Sequence, residues 1–85
     1  MTKRQKEEME HVYNIYADIR DNRKKEDKDI TEVHNRMYGM EEAVSFLGYE
    51  FKRVLEENDY GFEYYVYRLV REQWEWKAGV ILQIK

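Results

Sequence analysis

The sequence contains no cysteine and no proline, and it has only four glycines, two histidines and one serine. Without cysteine, disulfide bonds, thiolate zinc sites and a cysteine nucleophile are excluded. Small secreted domains usually depend on disulfides, so a chain of this size without them is typical of an intracellular protein. We therefore expect a cytoplasmic location. The absence of proline permits long, uninterrupted helices.

Long apolar segments are also missing. No run approaches the ~20 apolar residues that span a bilayer, and the first ten residues, MTKRQKEEME, contain basic side chains without the apolar stretch of a signal peptide. We therefore expect no association with a membrane. The formal net charge of −3 argues against a general affinity for nucleic acid.

Residue types that perform catalysis or bind metals are scarce and lack the spacing such sites need. Ser45 has no Gly-x-Ser-x-Gly motif around it. Glu8 and His11 form one Glu-x-x-His pair, but Thr31 precedes His34 at that spacing, so the second pair needed by a di-iron bundle is missing. The scattered glycines form no phosphate-binding loop. We expect no enzymatic activity, no catalytic residue, no cofactor and no metal site.

Charged and aromatic residues are abundant instead. Charged residues make up 39% of the chain, against ~25% in typical soluble domains. Eight tyrosines, three phenylalanines and two tryptophans provide enough apolar surface to exclude low-hydrophobicity disorder. With 85 residues, we expect a single domain covering 1–85. So many aromatic rings on a small chain favour burial of some in a second copy or a partner, although tyrosines that cover the sides of a sheet would explain them equally well.

The first third of the chain has the pattern of an amphipathic helix followed by a charged turn. Thr2 and Gln5 fit a capping box at the start of a helix over about residues 3–22. Its apolar residues keep helical spacing, and its charged residues, including Glu7, Glu8, Glu10, Asp18 and Arg20, lie mostly off that stripe. The charged run 21–29 predicts a turn between antiparallel helices, the alternative being the middle of one long helix. Asp29 and Glu32 are expected to cap the second helix.

A heptad-like spacing of apolar residues predicts a second helix over about residues 30–57. The residues with this spacing are Ile30, Val33, Met37, Met40, Val44, Leu47, Phe51 and Val54. Gly39 and Gly48 lie within the predicted helix, where each costs ~1 kcal/mol relative to alanine. Either the helix is kinked at Gly39, or a neighbouring backbone approaches it closely over both glycines.

The period of the apolar pattern changes to two after a turn cluster at residues 58–61. This predicts strands at about residues 62–70 and 74–84 that form a hairpin in which Arg68 faces Trp76. A helix over 62–76 is the alternative. The predicted fold class is α+β, with a two-helix antiparallel hairpin followed by a C-terminal β-hairpin in the order α-α-β-β. A lone hairpin has open edges, so we also expect a homodimer formed through the helices or the strand edges.

These features favour a small non-enzymatic protein that acts by protein–protein interaction, and we interpret its size and composition as those of a bacterial or phage accessory or inhibitory protein. Aromatic residues and arginine dominate binding energy at protein interfaces. The predicted protein-binding residues are Tyr64, Tyr65, Tyr67, Arg68, Trp74 and Trp76. The alternative function is a nucleic-acid-binding regulator that uses the basic turn, with Arg20, Arg23, Lys24, Lys25 and Lys28 as its contacts.

Overall fold

A computed structural model of the chain describes residues 1–72. Two helices, α1 (Lys3–Lys25) and α2 (Thr31–Phe46), precede two strands, β1 (Tyr49–Glu57) and β2 (Glu63–Arg71). This order confirms the predicted α+β class and the α-α-β-β arrangement. The predicted strand at 74–84, and with it the predicted contact between Arg68 and Trp76, lies outside the described residues. Neither described helix is long and apolar enough to span a membrane.

Helix α1 begins with the predicted capping box and extends three residues beyond its predicted end. The Thr2 hydroxyl accepts a hydrogen bond from the Gln5 N–H at 3.1 Å, and the Gln5 side chain accepts one from the Thr2 N–H at 2.9 Å. At the other end, Asp27 adopts a left-handed conformation with φ 56°. This allows the Lys28 N–H to donate to the Arg23 carbonyl at 2.8 Å, which closes the last helical turn.

Helix α2 is shorter than predicted: it ends at Phe46 rather than near residue 57. Gly48 ends it, because its left-handed φ of 81° directs the chain away from the helix axis while its N–H donates to the Ser45 carbonyl. At the start of α2, Asp29 accepts hydrogen bonds from the Thr31 N–H at 3.0 Å and the Thr31 hydroxyl at 2.6 Å. The Thr31 hydroxyl is the main reason that the pKa of Asp29 lies below its ordinary value.

Close approach of a neighbouring backbone, one of the two explanations offered for the glycines, does not apply. Apart from adjacent residues and the backbone of the same helix, no atom of the described residues lies within 4 Å of the position that a side chain would occupy at Gly39 or at Gly48. Helix α2 continues through Gly39. Gly48 is therefore required for its backbone conformation, whereas Gly39 is an exposed helical position for which these residues show no packing reason.

The segment from Tyr49 to Glu57 forms a strand and not the second half of a helix. It pairs with β2 in an antiparallel register that runs from Tyr49–Arg71 to Glu57–Glu63. The predicted strand at 62–70 is thus confirmed to within one residue, but its partner precedes it in the chain. Apolar residues continue at spacings of three and four through Phe51 and Val54, and this is why the sequence predicts a helix over this segment. The backbone hydrogen bonds and side-chain packing gained by pairing with β2 outweigh that local pattern.

One face of the hairpin packs against the helical pair. Buried Tyr13 stacks on Phe51 with ring centroids 3.9 Å apart and meets the edge of the Tyr67 ring at 5.0 Å. Leu69 and Val44 are completely buried. The apolar residues with heptad-like spacing on α2 therefore form part of the core together with Phe51 of β1, whereas Leu47, directly after α2, is 61% exposed. The core members and the residues packed on them are Tyr13, Tyr16, Ala17, Ile30, Val33, Met37, Met40, Phe51 and Tyr67.

Side chains of α1 bind the outer edge of β2. The Glu72 N–H donates to the Gly48 carbonyl, and the Asn58 N–H donates to the Phe62 carbonyl. In this register the even-numbered residues therefore form the backbone hydrogen bonds between β1 and β2, and the N–H and C=O groups of the odd-numbered residues point away from the partner strand. Asn14 bonds both outward groups of Tyr67: it accepts from the N–H at 2.8 Å and donates to the carbonyl at 2.9 Å.

Tyr13 makes the stability of the fold sensitive to alkaline pH. Burial, followed by the nearby Glu41 carboxylate, raises the pKa of Tyr13 above its ordinary value of 10.0. The folded state therefore favours the neutral phenol, and this contribution is complete below pH 10.0 and is lost as the pH rises towards the folded-state pKa. We expect Tyr13→Phe to lose stability less steeply than the wild type above pH 10.0.

Urea unfolding of both proteins at neutral pH and at about one unit above the ordinary tyrosine pKa measures this difference. At neutral pH the variant should be less stable by about 1 kcal/mol, because Tyr13 no longer donates to Glu41. Parallel losses of stability in the two proteins on raising the pH would show that Tyr13 is not the group responsible.

Candidate functional site

The end of the hairpin that is farthest from the core contacts exposes a group of large apolar side chains. We call residues 55–65 the hairpin tip. Tyr60 and Phe62 are 86% and 70% exposed, and Tyr65 and Leu55 are 63% and 52% exposed. Exposed apolar residues are ordinary when single, but a contiguous group on a protruding element indicates a binding surface.

The turn that carries Tyr60 and Phe62 has a fixed geometry. The Asn58 side chain accepts hydrogen bonds from the Tyr60 N–H at 2.9 Å and from the Phe62 N–H at 3.0 Å. Gly61 provides the positive φ of 83° that the turn needs, and its N–H donates to the Asn58 carbonyl. The backbone at both aromatic residues is thus fixed, and a partner would find this part of the turn already in position.

Neighbouring side chains also hold Tyr64 and Tyr65. The Arg53 guanidinium lies 4.0 Å from the centre of the Tyr65 ring. Glu56 accepts hydrogen bonds from the Arg68 guanidinium at 2.8 Å and from the Tyr64 hydroxyl at 3.3 Å. The hydrogen bond from Arg68 lowers the pKa of the Glu56 carboxyl, so this arrangement persists at neutral pH.

The hairpin tip is acidic as well as aromatic. It contains Glu56, Glu57, Asp59 and Glu63 and no lysine or arginine, a formal charge of −4 over residues 55–65. Arg68 neutralises Glu56. The other three carboxylates are on exposed residues around the aromatic side chains. This combination disfavours phosphate groups and suits an apolar surface with basic residues at its edge.

The structure separates the six residues predicted to bind protein. Tyr64 and Tyr65 belong to the hairpin tip. Tyr67 is part of the core, and its hydroxyl accepts a hydrogen bond from Arg20 at 3.4 Å. Arg68 is engaged with Glu56 and lies 3.9 Å from Glu10. The remaining two, Trp74 and Trp76, lie outside the described residues.

Sequence reasoning missed Leu55, Tyr60 and Phe62. Leu55 was assigned to a helix and Phe62 to the face of a strand. Tyr60 belongs to the predicted turn. A large aromatic residue between Asp59 and Gly61 has no helix or strand that could bury it, and this was a signal in the sequence that Tyr60 is exposed.

The basic turn does not present its five predicted cations as one free surface. Arg20 is only 20% exposed at its side chain and bonds both Asp21 and the Tyr67 hydroxyl. Lys28 forms an ion pair with Glu26 at 2.7 Å. Arg23 donates to the Asp29 carbonyl. Lys24 and Lys25 remain exposed beside acidic residues 26, 27 and 29.

Residues 1–72 contain no group of three or more acidic, histidine or cysteine side chains that could hold a metal ion. Ser45 donates its hydroxyl hydrogen bond to the Glu72 carboxylate at 2.9 Å, and this contact links the end of α2 to the end of β2. Comparisons with protein-family models, with curated proteins and with solved structures found no match to this chain.

Proposed function

We propose that this protein is a non-enzymatic binding protein that inserts the aromatic side chains of its hairpin tip into an apolar pocket of another protein. The observation that carries the proposal is the exposure of Tyr60 and Phe62 on a turn that Asn58 and Gly61 hold in one conformation. A turn whose backbone is held in this way loses little backbone conformational entropy on binding. Aromatic side chains are also among the residue types that contribute most to interface affinity.

The charge around the tip defines the partner further. Glu57, Asp59 and Glu63 surround the aromatic side chains, so the partner surface should carry lysine or arginine around an apolar pocket. Contacts of this kind at the rim of an interface mainly accelerate association and weaken with salt. An accessory or inhibitory role, as a phage or bacterial protein, agrees with this mode of action.

The proposal is tested by capture from a lysate of the native cell, followed by affinity measurement with the purified partner. We expect Tyr60→Ala and Phe62→Ala each to weaken binding at least about 30-fold, the loss that truncation of an interface hot spot produces. Glu57→Lys should chiefly slow association. Tyr60 and Phe62 are largely exposed and lie outside the core, so circular dichroism should show unchanged folding.

Tyr38→Ala is the matched control, because Tyr38 is a 62% exposed tyrosine on α2, away from the hairpin tip. A partner that is retained equally by all the variants would contradict the role of the tip. Nucleic acid that is retained by the wild type and lost from Lys24→Glu/Lys25→Glu would favour the alternative function through the basic turn.

A further inference from the structure

Helix α1 carries a second exposed apolar surface, independent of the hairpin tip. Val12, Ile15 and Ile19 are 40%, 44% and 37% exposed. Each lies two residues after a residue of the buried face of α1, namely Glu10, Tyr13 and Ala17. Two residues correspond to about 200° around a helix, so these side chains lie on the side of α1 opposite the sheet. We call Val12, Ile15 and Ile19 the outer stripe.

An apolar groove adjoins one end of the outer stripe. It lies between the first half of α1 and the end of α2 and has a volume of about 550 Å³. Its apolar lining is formed by Met1, Met9, Val12, Ala43 and Leu47. The groove is large enough for a branched aliphatic side chain, and Val12 belongs both to its wall and to the outer stripe.

We propose that the outer stripe is the interface of a homodimer in which α1 packs antiparallel to α1 of a second copy. When Val12 lies opposite Ile19 of the other copy, the two Ile15 side chains meet near the two-fold axis. Each Ile19 then enters the groove beside the other copy's Val12. Because the interface is isologous, both grooves are filled by the same contact.

Charge complementarity supports this register. With Val12 opposite Ile19, Glu8 of one copy lies opposite Arg23 of the other, and the two-fold axis produces this pair twice. Lys3, Arg4 and Lys6 precede Glu7 and Glu8 in the first turns of α1, and Glu8 also pairs with Arg4 of its own helix at 3.1 Å. The complementarity is therefore that of one pair in this register: antiparallel packing places Glu8 opposite Arg23, whereas parallel packing in register would place each of these residues opposite its own copy.

Strand edges offer less to a second copy. Both outward groups of Tyr67 and the outward N–H of Leu69, in β2, are already bonded to Asn14 and Glu10. The outer edge of β1 is the other strand edge among the described residues, and its central residues are Lys52 and Arg53, which would repel a symmetric copy. A helical interface therefore accounts for the predicted homodimer better than a continuous sheet.

The first experiment compares Ile15→Glu with the wild type by light scattering and analytical ultracentrifugation. The wild type should have twice the 10.6 kDa mass of one chain. The variant should be monomeric, with a dissociation constant raised on the order of 100-fold, because two carboxylates would be buried side by side. Tyr38→Glu, a control at a more exposed apolar position on α2, should remain dimeric.

The second experiment tests the antiparallel register through paired charges. Glu8→Arg and Arg23→Glu should each weaken dimerisation about tenfold, because each places like charges opposite each other twice. Mixing the two variants should restore the affinity of the wild type, since both contacts of the mixed dimer then join opposite charges. Lys25→Glu makes the same kind of charge change away from the stripe and should have little effect.

Three outcomes would overturn the proposal: a monomeric wild type at high micromolar concentration, a dimer that survives Ile15→Glu, or a mixture of Glu8→Arg and Arg23→Glu that associates no better than its components. The second outcome would point to the edge of β1. Neither Tyr60 nor Phe62 lies in this interface, so their variants should dimerise normally. If the protein proves not to form this dimer, the proposed function of the hairpin tip can still be tested.

Discussion

Replacing Asn14 by alanine should lower the free energy of unfolding by about 3 kcal/mol, because three hydrogen bonds are lost at once. The Asn14 amide accepts from the Tyr67 N–H at 2.8 Å and donates to the Tyr67 carbonyl at 2.9 Å and to the Glu10 carbonyl at 2.7 Å. Alanine leaves both backbone groups of Tyr67 without a protein partner beside the core. The better helix propensity of alanine offsets only about 0.5 kcal/mol.

Urea unfolding of the variant and the wild type at the same protein concentration measures this loss, since dimerisation would make stability depend on concentration. Hydrogen exchange adds a local readout: the amide of Tyr67 should exchange faster in the variant, while amides in the middle of α2 should change only with global stability. Asn35→Ala is the matched control. Asn35 is an exposed asparagine on α2, and its replacement should change stability by less than about 0.5 kcal/mol. Equal effects of the two substitutions would show that Asn14 does not join α1 to β2.

Local patterns were sufficient to predict the elements whose own residues determine them. The capping box at Thr2 and Gln5 marked the start of α1, and the strand-forming cluster from Tyr64 to Tyr67 identified β2. Such features depend on contacts within a few residues of the chain, and a sequence displays those contacts directly.

The end of α2 could not be predicted in the same way, because the spacing of Val44, Leu47, Phe51 and Val54 satisfies a helix while Tyr49, Phe51 and Leu55 satisfy a strand. Gly48 decides between the two only through its positive φ, and β1 is stabilised by pairing with a strand that comes later in the sequence.

The burial of Glu10 was not predicted either, because its helical spacing places it among the charged residues of α1. A polar residue that bonds a strand edge and one that faces water have the same helical spacing, so only the tertiary arrangement distinguishes them.

Of the positions discussed, Glu10 is the one at which the free energy of unfolding should depend most strongly on which residue replaces it. The residue is 6% exposed, and one carboxylate oxygen accepts a hydrogen bond from the Leu69 N–H at 2.7 Å. Leu69 is completely buried, so no water can easily replace that acceptor. We expect Glu10→Ala to cost about 3 kcal/mol, since it leaves a buried amide without a partner and removes a charge-assisted bond. Glu10→Gln keeps an oxygen acceptor at the same place and should cost only about 1 kcal/mol.

The difference between these two variants separates the role of the acceptor from the role of the charge. Arg68 lies 3.9 Å from the Glu10 carboxylate and already bonds Glu56, so loss of the negative charge at Glu10 leaves the guanidinium paired. Urea unfolding at neutral pH should therefore order the proteins as wild type, Glu10→Gln and Glu10→Ala. Glu7→Ala, on the same helix but exposed, should remain within about 0.5 kcal/mol of the wild type. If glutamine proved as damaging as alanine, attraction between Glu10 and Arg68, rather than the bond to Leu69, would be what fixes β2 to α1.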